Sequence, residues 1–235
     1  YIRENYDEYR NDLDKDWTSK LSPYLRFWIF SVRQIYNIAK NKNESFVSEL
    51  AWREFWQHIN YYFPETKNTE FQENKRHIKW SSDEYLFEKW CRWETWYPIV
   101  DACMKQLVET NWMHGRGRMI VASFLTKDLL IDWRLWEEFF KKHLLDYDEN
   151  VNFWNWQWSA SVWADPKPLR IFNPSLQSSK FDKDAIFIKK YLPELINQEL
   201  KEIHNPENNN LKYTRLIVKH SEAQKLAREA YKKPS

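Results

Sequence analysis

The sequence that decides the fold occupies residues 144–174 and reads LLDYDENVNFWNWQWSASVWADPKPLRIFNP. It begins with two acidic residues two positions apart, Asp146 and Asp148, and continues into a polar and aromatic run at residues 150–158. It ends in RIFNP at residues 170–174. No hydrolase or transferase motif elsewhere in the chain competes with this pattern. The segment therefore predicts a site made of carboxylates, amides and indoles.

The composition of the 235-residue chain is typical of a globular protein with a packed core. A length of 235 residues is enough for one large domain or two small ones. Apolar residues make up 43% and charged residues 30% of the chain. The 36 basic residues exceed the 34 acidic residues by two, so net charge does not identify a nucleic-acid-binding protein, although a local basic groove is compatible with that balance. Cys91 and Cys103 have no disulfide or metal spacing, which indicates reduced intracellular thiols.

Two further sequence features bear on the membrane. No apolar run reaches the roughly 18 residues that a membrane span needs. The first ten residues, YIRENYDEYR, do not resemble a signal peptide. We therefore expect no membrane partner.

Hydrophobic periodicity and capping residues predict an all-α fold, because no alternating segment is long enough for a sheet. Ser22 before Pro23 is predicted to cap the first of the larger helices. The segment at 65–79 and the Asn-rich segment at 205–210 are predicted to be loops. The predicted helices are 23–40, 45–63, 83–90, 98–107, 112–131, 134–145, 181–195 and 221–231.

The helix predicted at 45–63 has two distinct faces. One stripe is predicted to pack inward and consists of Val47, Ala51, Phe55 and Ile59. The other stripe joins a carboxylate, two indoles and a guanidinium and consists of Glu49, Trp52, Arg53 and Trp56. Such a stripe is a solvated ion pair beside a core edge or the wall of a pocket. The same spacing places Trp112, Arg116, Met119 and Ser123 together on the helix predicted at 112–131.

The order of motifs from Tyr6 to Tyr231 resembles the C-terminal half of a class I DNA photolyase of the photolyase/cryptochrome family. The matching motifs are TSKLS (18–22), SELAWREF (48–55), TWYPIVDACM (95–104), WMHGRGRMIVASFLTKDLLIDWR (112–134), DYDEN (146–150), NWQWSAS (155–161), RIFNP (170–174) and KHSEA (219–223). The resemblance implies that residues 1–17 end an interdomain connection and that residues 18–235 form a helical FAD-binding and lesion-binding domain. The family's N-terminal α/β antenna domain has no counterpart here, so we expect a fragment that binds no antenna pigment.

The resemblance implies a folded-back FAD cofactor, in the reduced anionic form for repair. The expected phosphate contacts are Tyr6, Thr18, Ser19, Lys20, Leu21 and Ser22, where Lys20 replaces the Arg often found in the family. The expected flavin contacts are Phe46, Arg53, Arg118, Asp146, Tyr147, Asp148 and Asn152. Asn152 corresponds to the residue that faces flavin N5, and Asn there is typical of photolyases, whereas plant cryptochromes tend to carry Asp and animal cryptochromes Cys. Without the surrounding motif, Asn152 would be read as a loop residue that caps a turn.

The resemblance also implies a substrate and an electron relay. In the family, a pyrimidine dimer is flipped out of DNA into a cavity. Met119 favours the cyclobutane dimer over the (6-4) lesion, and Gly115 replaces an Asn found in many relatives. The expected lesion contacts are Glu49, which hydrogen-bonds the lesion, Trp52, Trp56, Gly115, Arg116, Met119 and Trp158. The expected electron relay is Trp156, Trp133 and Trp80, each of which sequence alone would assign to the core.

These correspondences predict a deoxyribodipyrimidine photo-lyase activity, a carbon–carbon lyase reaction driven by light, with no metal. The alternatives are a cryptochrome-type photoreceptor without repair and a helical fragment that does not retain flavin. We expect a monomer that binds dimer-containing DNA, located in the cytoplasm of a prokaryote and associated with the nucleoid through DNA.

Tryptophan and glycine usage is abnormal. The chain has 15 Trp and 2 Gly, whereas average usage would give roughly 16 Gly. Seven tryptophans occupy positions where the family pattern has Gly, and an indole should clash or strain the backbone there. They are Trp17, Trp28, Trp93, Trp96, Trp136, Trp154 and Trp163. We hypothesise that the source reads UGA as Gly and that these codons were translated as Trp; if the indoles are genuine, we expect poor FAD binding.

Overall fold

The computed structural model of the chain describes residues 5–167, 169–207 and 216–232. Within these residues the chain is helical, and the one β-type pairing is an isolated parallel bridge between Ser81 and Ile131. The all-α prediction is therefore confirmed. The helices are α1 Tyr6–Tyr9, α2 Ser22–Arg26, α3 Val32–Ala39, α4 Glu44–Tyr62, α5 Glu84–Cys91, α6 Pro98–Thr110, α7 Gly115–Ser123, α8 Trp133–His143, α9 Glu149–Ser159, α10 Pro174–Phe181, α11 Ile186–Tyr191, α12 Leu200–His204 and α13 His220–Ala230.

Short irregular helices connect these elements. Turns of 3₁₀ helix lie at Pro64–Asn68, Glu73–Lys75 and Pro193–Leu195, inside segments that the sequence predicts as loop or as regular helix. A π-helical turn at Phe124–Asp128 follows α7 directly. None of the helices in the described ranges is long and apolar enough to cross a membrane.

Two hydrophobic cores lie on either side of α4. The larger core surrounds α6, whose Val100, Cys103 and Leu107 are fully buried. The smaller core joins α2, α3 and the first half of α4, and Phe46 belongs to it. Further along α4, Trp56 is buried in the larger core. Burial of apolar side chains is the main stabilising contribution to folding. α4 is therefore anchored in the small core by Phe46 and Leu50 and in the large core by Trp56.

The predicted inward stripe of α4 is half correct. Val47 packs against the small core and Ile59 against the large one, whereas Ala51 and Phe55 are exposed. The buried residues of α4 are Phe46, Leu50 and Trp56. The ring of Phe46 fills the small core and the indole of Trp56 fills the large one, so the middle of the predicted stripe is turned toward solvent.

The predicted helix at 23–40 is divided into α2 and α3. Trp28 has φ 57°, a left-handed conformation that a right-handed helix cannot include. Ser31 starts the second piece, where its side chain accepts from the N–H of Gln34 in a capping box. Ser22 is not the N-cap as predicted: it is the first residue of α2, and Leu21 precedes it without a side-chain cap.

The helix predicted at 181–195 is also wrong. α10 ends at Phe181, and the carboxylate of Asp182 accepts from the backbone N–H groups of Phe187 and Ile188 at 3.0 and 2.8 Å. Ala185, with φ 53°, turns the chain between α10 and α11. Because the Asp182 carboxylate binds the first N–H groups of α11, a new helix starts after it. The predicted helix is therefore replaced by the end of α10 and a separate α11.

The helix predicted at 112–131 starts three residues later than expected. His114 precedes α7, and its Nδ1 accepts from the N–H of Arg116 at 3.1 Å. Trp112 therefore lies outside the helix and does not share a stripe with Met119.

Three of the seven anomalous tryptophans have left-handed backbone. The φ angles are 57° at Trp28, 51° at Trp93 and 69° at Trp96, and none of the eight other tryptophans has a positive φ. Left-handed backbone is favourable for glycine and costs other L-residues energy. The backbone at these positions therefore supports the glycine hypothesis.

Candidate functional site

The first predicted acid, Asp146, forms a buried ion pair with Arg118. One guanidinium nitrogen, Nη2, lies 2.9 and 2.7 Å from the two carboxylate oxygens, and the Asp146 side chain is 1% exposed. Arg118 also donates from Nε to the carbonyl of Met113 at 2.9 Å. The bond to Met113 fixes the orientation of the guanidinium. The ion pair with Asp146 joins α7 to the segment that precedes α9.

The second acid, Asp148, is the N-cap of α9 and is held from α4. Its carboxylate accepts from the N–H of Val151 at 3.3 Å and from Gln57 Nε2 at 3.1 and 3.0 Å. Arg53 Nη2 lies 3.5 Å away. Gln57 also accepts from Asn150 Nδ2 at 2.6 Å. The two helices are thus connected by a polar network at the start of α9.

Gln57 was missed in the sequence analysis. It lies four residues after Arg53 and eight after Glu49, on the stripe that contains these two residues. Extending that stripe by one turn of helix would have identified it.

Asn152 occupies the position that the family resemblance assigns to flavin N5. Trp156 Nε1 donates to its Oδ1 at 3.0 Å. An indole N–H can only donate, so the amide oxygen must face Trp156 and the amide nitrogen faces away. Asn152 is 9% exposed, and its Nδ2 has no hydrogen-bond acceptor among the described residues. A buried, oriented donor without an acceptor is costly unless a ligand satisfies it.

The segment expected to bind phosphate lies on the side of the small core. Thr18 and Ser19 are half-buried, whereas Lys20 and Ser22 are exposed. Lys20 has φ 51° and its Nζ is 2.7 Å from Asp16 Oδ1. The segment therefore presents hydroxyl groups and one ammonium group.

Tyr6 and Phe46 lie together beside this segment. Their rings meet edge to face with centroids 5.4 Å apart. Burial and the nearby Glu49 carboxylate raise the pKa of the Tyr6 hydroxyl, so it stays protonated and can donate a hydrogen bond.

Tyr147, between the two acids, points away from this network. Its hydroxyl donates to Glu137 on α8, and its carbonyl accepts from Arg26 Nε on α2. Burial first, then the Glu137 hydrogen bond, raises the pKa of this hydroxyl above its ordinary value. Tyr147 therefore links three helices around the site.

Two of the three expected relay indoles share one carboxylate. Glu70 Oε1 accepts from Trp80 Nε1 at 3.0 Å and from Trp133 Nε1 at 3.4 Å. Trp133 is fully buried on α8 and packs edge to face on Phe153 of α9, with centroids 5.0 Å apart. Trp156 lies three residues after Phe153 on α9. The structure thus brings Trp80 and Trp133 together and puts Trp133 beside the helix that carries Trp156.

Trp136 crowds the relay. Its ring centroid is 3.0 Å from that of Trp156, whereas aromatic pairs normally pack with centroids about 4.5–7 Å apart. Trp136 is fully buried, and its Nε1 has no acceptor among the described residues. Trp154 has the same buried, unsatisfied indole nitrogen. Glycine at both positions would remove the crowding and both unsatisfied donors.

The apolar members of the expected lesion site fall into two groups. Met119 and Trp158 line one pocket with Ser123, Ser159, Arg170 and Phe172. The Arg170 guanidinium lies 5.3 Å from the Trp158 ring centroid and is paired with Asp165 at 2.6 Å.

The second group is on α4. Trp52 is 51% exposed and stacks on Trp56 with centroids 5.8 Å apart. Trp56 is 4% exposed and packs on Trp163 at 5.3 Å. Of these two indoles, Trp52 alone is exposed at the surface, and the buried ring of Trp56 packs against its inner face.

Of the remaining expected lesion residues, Glu49 and Arg116 have polar partners within the chain, and Gly115 has open space around it. Glu49 is paired with Arg10. Arg116 donates from Nη2 to Asn11 Oδ1 at 2.7 Å and stacks on Phe181 at 4.2 Å, so it is not a free surface cation. Gly115 has no atom within 4 Å of the place where a Cβ would lie.

The described residues fit a flavin at the start of α9. The orphaned Asn152 amide donor, two buried or half-buried acid–guanidinium pairs and the neighbouring indole of Trp156 are the donor set that a conjugated ring with amide-like edges needs. Hydroxyl and ammonium groups at residues 18–22 suit phosphate oxygens. The crowding of Trp156 by Trp136 opposes this fit, as does Tyr147, an expected flavin contact whose hydroxyl is turned to Glu137.

Comparison with known proteins agrees with this donor set. A sequence model described as the FAD binding domain of DNA photolyase matches residues 46–233. Deoxyribodipyrimidine photo-lyases of Synechococcus sp. and Alkalihalophilus pseudofirmus are 44% and 45% identical to the chain. These matches cover 97% and 92% of the chain but 50% and 49% of the relatives. The chain spans about half the length of the curated relatives it matches.

Solved structures give the same result. The archaeal photolyase from Sulfolobus tokodaii, solved with two FAD molecules, has a TM-score of 0.91 and 37% identity over 95% of this chain and 52% of its own. A class III photolyase from Agrobacterium tumefaciens has a TM-score of 0.89 and 39% identity over 97% of this chain and 52% of its own. The Synechocystis sp. cryptochrome has a TM-score of 0.88 and 31% identity over 97% of this chain and 52% of its own. Fold, donor set and sequence thus converge: the chain belongs to the family of FAD-binding domains of DNA photolyases.

Proposed function

We propose that this domain binds FAD beside the start of α9 and belongs to a protein that repairs cyclobutane pyrimidine dimers in DNA by light-driven electron transfer. The observation that carries the proposal is the buried Asn152 amide, whose oxygen is occupied by Trp156 and whose nitrogen has no acceptor in the described chain. Relatives named deoxyribodipyrimidine photo-lyase at 44% and 45% identity support it. When bound, reduced FAD supplies under light the electron that opens the cyclobutane ring and takes it back.

The residues of the chain have separate tasks in this proposal. Arg118, fixed by Asp146 and by the Met113 carbonyl, supplies a positive charge at the flavin site. Asp148 and Gln57 hold the first turn of α9 against α4, which keeps Asn152 in place. Asn152 Nδ2 would donate to flavin N5, the position that the family resemblance gives it, when the flavin is oxidised and N5 is an unprotonated acceptor. In reduced flavin N5 carries a hydrogen, so there the amide would have to turn its oxygen to N5.

The lesion is bound on the exposed side of α4, where the exposed ring of Trp52 presents a flat apolar face to an unstacked dimer. Met119 and Trp158 lie together in a closed contact, and the Arg170 guanidinium over the Trp158 ring would have to move for the lesion to reach them. Glu49 would exchange its ion pair with Arg10 for a hydrogen bond to the lesion. A carboxylate held by an exposed arginine can make that exchange, because exposed ion pairs contribute little free energy.

Repair by the purified protein tests the proposal. Protein with bound flavin is reduced, mixed with an oligonucleotide that contains one thymine dimer and illuminated, and intact thymine is measured by chromatography. We expect repair in light and none in darkness, and loss of repair in Asn152→Ala. The matched control is Asn155→Ala on the same helix, since Asn155 is exposed and its amide bonds only the carbonyl of Val151 at 2.7 Å in the described structure. Bound flavin that shows no light-dependent repair would refute the proposal.

A cryptochrome-type photoreceptor is the second candidate, because the Synechocystis cryptochrome shares this fold at 31% identity. The same experiment separates the two: flavin that photoreduces through the tryptophans without repair favours the photoreceptor. Asn152, Glu49 and Met119 favour repair of the cyclobutane dimer, and the order of the motifs favours a class I enzyme. A colourless protein would favour a domain that does not retain flavin.

The remaining expectations belong to this proposal. The partner is DNA that carries pyrimidine dimers, the protein acts as a monomer, and its association with the nucleoid follows from DNA binding in the cytoplasm. Binding through Lys and Arg side chains should weaken as salt is raised.

A further inference from the structure

Glu70 has no part in the function described so far, yet it is one of the most connected carboxylates in the structure. It is 6% exposed, and its Oε1 accepts from Trp80 Nε1, Trp133 Nε1 and Arg134 Nη2 at 3.0, 3.4 and 2.9 Å. Burial opposes ionisation of this carboxyl, but the hydrogen bond from Trp80, its own backbone N–H and the Arg134 charge outweigh burial and lower its pKa. Glu70 is therefore an anion in contact with two indole N–H groups.

We propose that Glu70 is a positioning residue of the electron relay that stabilises positive charge on Trp80 and so makes Trp80 the end of the relay. The inference rests on the proposed function, since the relay has a role only where a flavin is photoreduced. An anion hydrogen-bonded to an indole N–H lowers the energy of the oxidised indole by direct charge attraction, and this attraction is strong where water is excluded.

The three indoles differ in the charges that surround them. Trp156 donates to a neutral amide, that of Asn152. Trp133 donates to Glu70, but the Arg134 guanidinium lies 4.6 Å from its ring centroid and opposes positive charge there. Trp80 has the shorter hydrogen bond to Glu70 and is partly exposed, so water adds to its stabilisation. Positive charge is thus stabilised most at Trp80.

The electron balance is simple. With flavin bound, Trp156 would give one electron to the light-excited oxidised flavin, Trp133 would give one to Trp156, and Trp80 would give one to Trp133. Trp80 would then be one electron short, with its Nε1 proton still in the hydrogen bond to Glu70. Because the positive charge is most stable at Trp80, return of the electron from the flavin to Trp80 would be slow.

Glu70→Gln removes the charge and keeps a side-chain oxygen that can accept both N–H groups. The matched control is Asp132→Asn: Asp132 also binds Arg134, at 3.0 and 3.1 Å, but none of the hydrogen bonds in the described structure joins it to an indole, and Asn can still cap α8. The readout is the lifetime of the tryptophan radical after a laser flash on the flavin-loaded protein. We expect a lifetime at least about tenfold shorter in Glu70→Gln than in wild type or Asp132→Asn, the factor for a charge interaction near 1.4 kcal/mol.

A second measurement does not depend on flavin. Pulse radiolysis with azide radicals oxidises indoles without light, and the yield of the Trp80 radical is the part of the signal that Trp80→Phe removes from each protein. We expect this yield to fall in Glu70→Gln and to stay as in wild type in Asp132→Asn. Arg134→Gln should also shorten the lifetime, because it removes the cation beside the Trp133 ring and so makes Trp133 easier to oxidise relative to Trp80. This variant leaves the Glu70 carboxylate in place, which keeps the test valid if Glu70→Gln lowers stability.

Equal flash lifetimes and equal radiolysis yields of the Trp80 radical in wild type and Glu70→Gln would overturn the role of Glu70. Failure of dimer repair with the radiolysis difference intact would instead refute the proposed function and leave the role of Glu70 standing.

Discussion

Trp28 offers the cleanest test of whether this backbone was built for glycine. Its φ is 57° and its side chain is 79% exposed, so replacement by glycine loses little buried area. Left-handed backbone costs a non-glycine residue about 1–2 kcal/mol, and glycine loses about 0.5–1 kcal/mol more in conformational entropy on folding. Trp28→Gly should therefore raise the free energy of unfolding by about 0.5–1 kcal/mol.

The control is Trp52→Gly, which replaces a second exposed tryptophan in the right-handed interior of α4. There glycine costs about 0.5 kcal/mol relative to Trp in helix propensity, and loss of the stack on Trp56 adds about 0.5–1.5 kcal/mol. Urea unfolding followed by far-UV circular dichroism measures both variants. For a chain of this size, the Trp28 variant should melt about 1–4 °C higher. Destabilisation of Trp28→Gly by as much as Trp52→Gly would show that the left-handed backbone does not reflect a glycine position.

Three further predictions follow from the site and its surroundings. Burial, with the charges of Arg116 and Arg118, lowers the pKa of His114 to about 4. As pH falls below 6.5 the unfolded state takes up the proton before the folded state does, so the free energy of unfolding of the wild type should fall by about 2 kcal/mol more than that of His114→Asn between pH 8 and pH 5. Urea titrations measure both, and equal losses would refute this. Gln57→Leu should weaken FAD binding about tenfold in a fluorescence titration, because the bonds to Asp148 and Asn150 that fix the start of α9 are lost, whereas the exposed Gln34→Leu should bind as wild type does. In the gene, UGA should encode the seven anomalous tryptophans and UGG should encode the genuine ones; UGG at the seven would reject the recoding hypothesis. The two sets are Trp17, Trp28, Trp93, Trp96, Trp136, Trp154 and Trp163, and Trp52, Trp80, Trp133, Trp156 and Trp158.

The elements predicted well are those whose start is encoded locally. The predicted helices α4 and α5 each begin after an Asn or Asp whose side chain accepts from the third residue beyond it. α9 begins in the same way, after Asp148, but the sequence analysis predicted no helix there. Such a cap and a following apolar period are visible in the sequence. The helix at 23–40 failed for the opposite reason, because the break is at Trp28, and an indole gives no signal for a left-handed turn where glycine would.

The site residues that were missed act through long-range contacts. Glu70 is a single acid in a segment predicted as loop, and its partners lie 10, 63 and 64 positions away in sequence. No local pattern marks such a residue, because its function depends on where three other side chains meet. Gln57 differs in this respect, since its position on the stripe of Glu49 and Arg53 was available from helical spacing.

The acceptors of the indole N–H groups also explain why the site uses an amide where it does. A carboxylate in place of the Asn152 amide would stabilise positive charge on Trp156, next to the electron that has just been transferred, and would favour its return. An amide holds the Trp156 ring by the same hydrogen bond without that attraction. The anion lies instead at Glu70, beyond Trp133, where the attraction draws the charge outward. In the proposed relay, the order of neutral acceptor at Trp156 and anionic acceptor at Trp80 is therefore expected to set the direction of electron transfer.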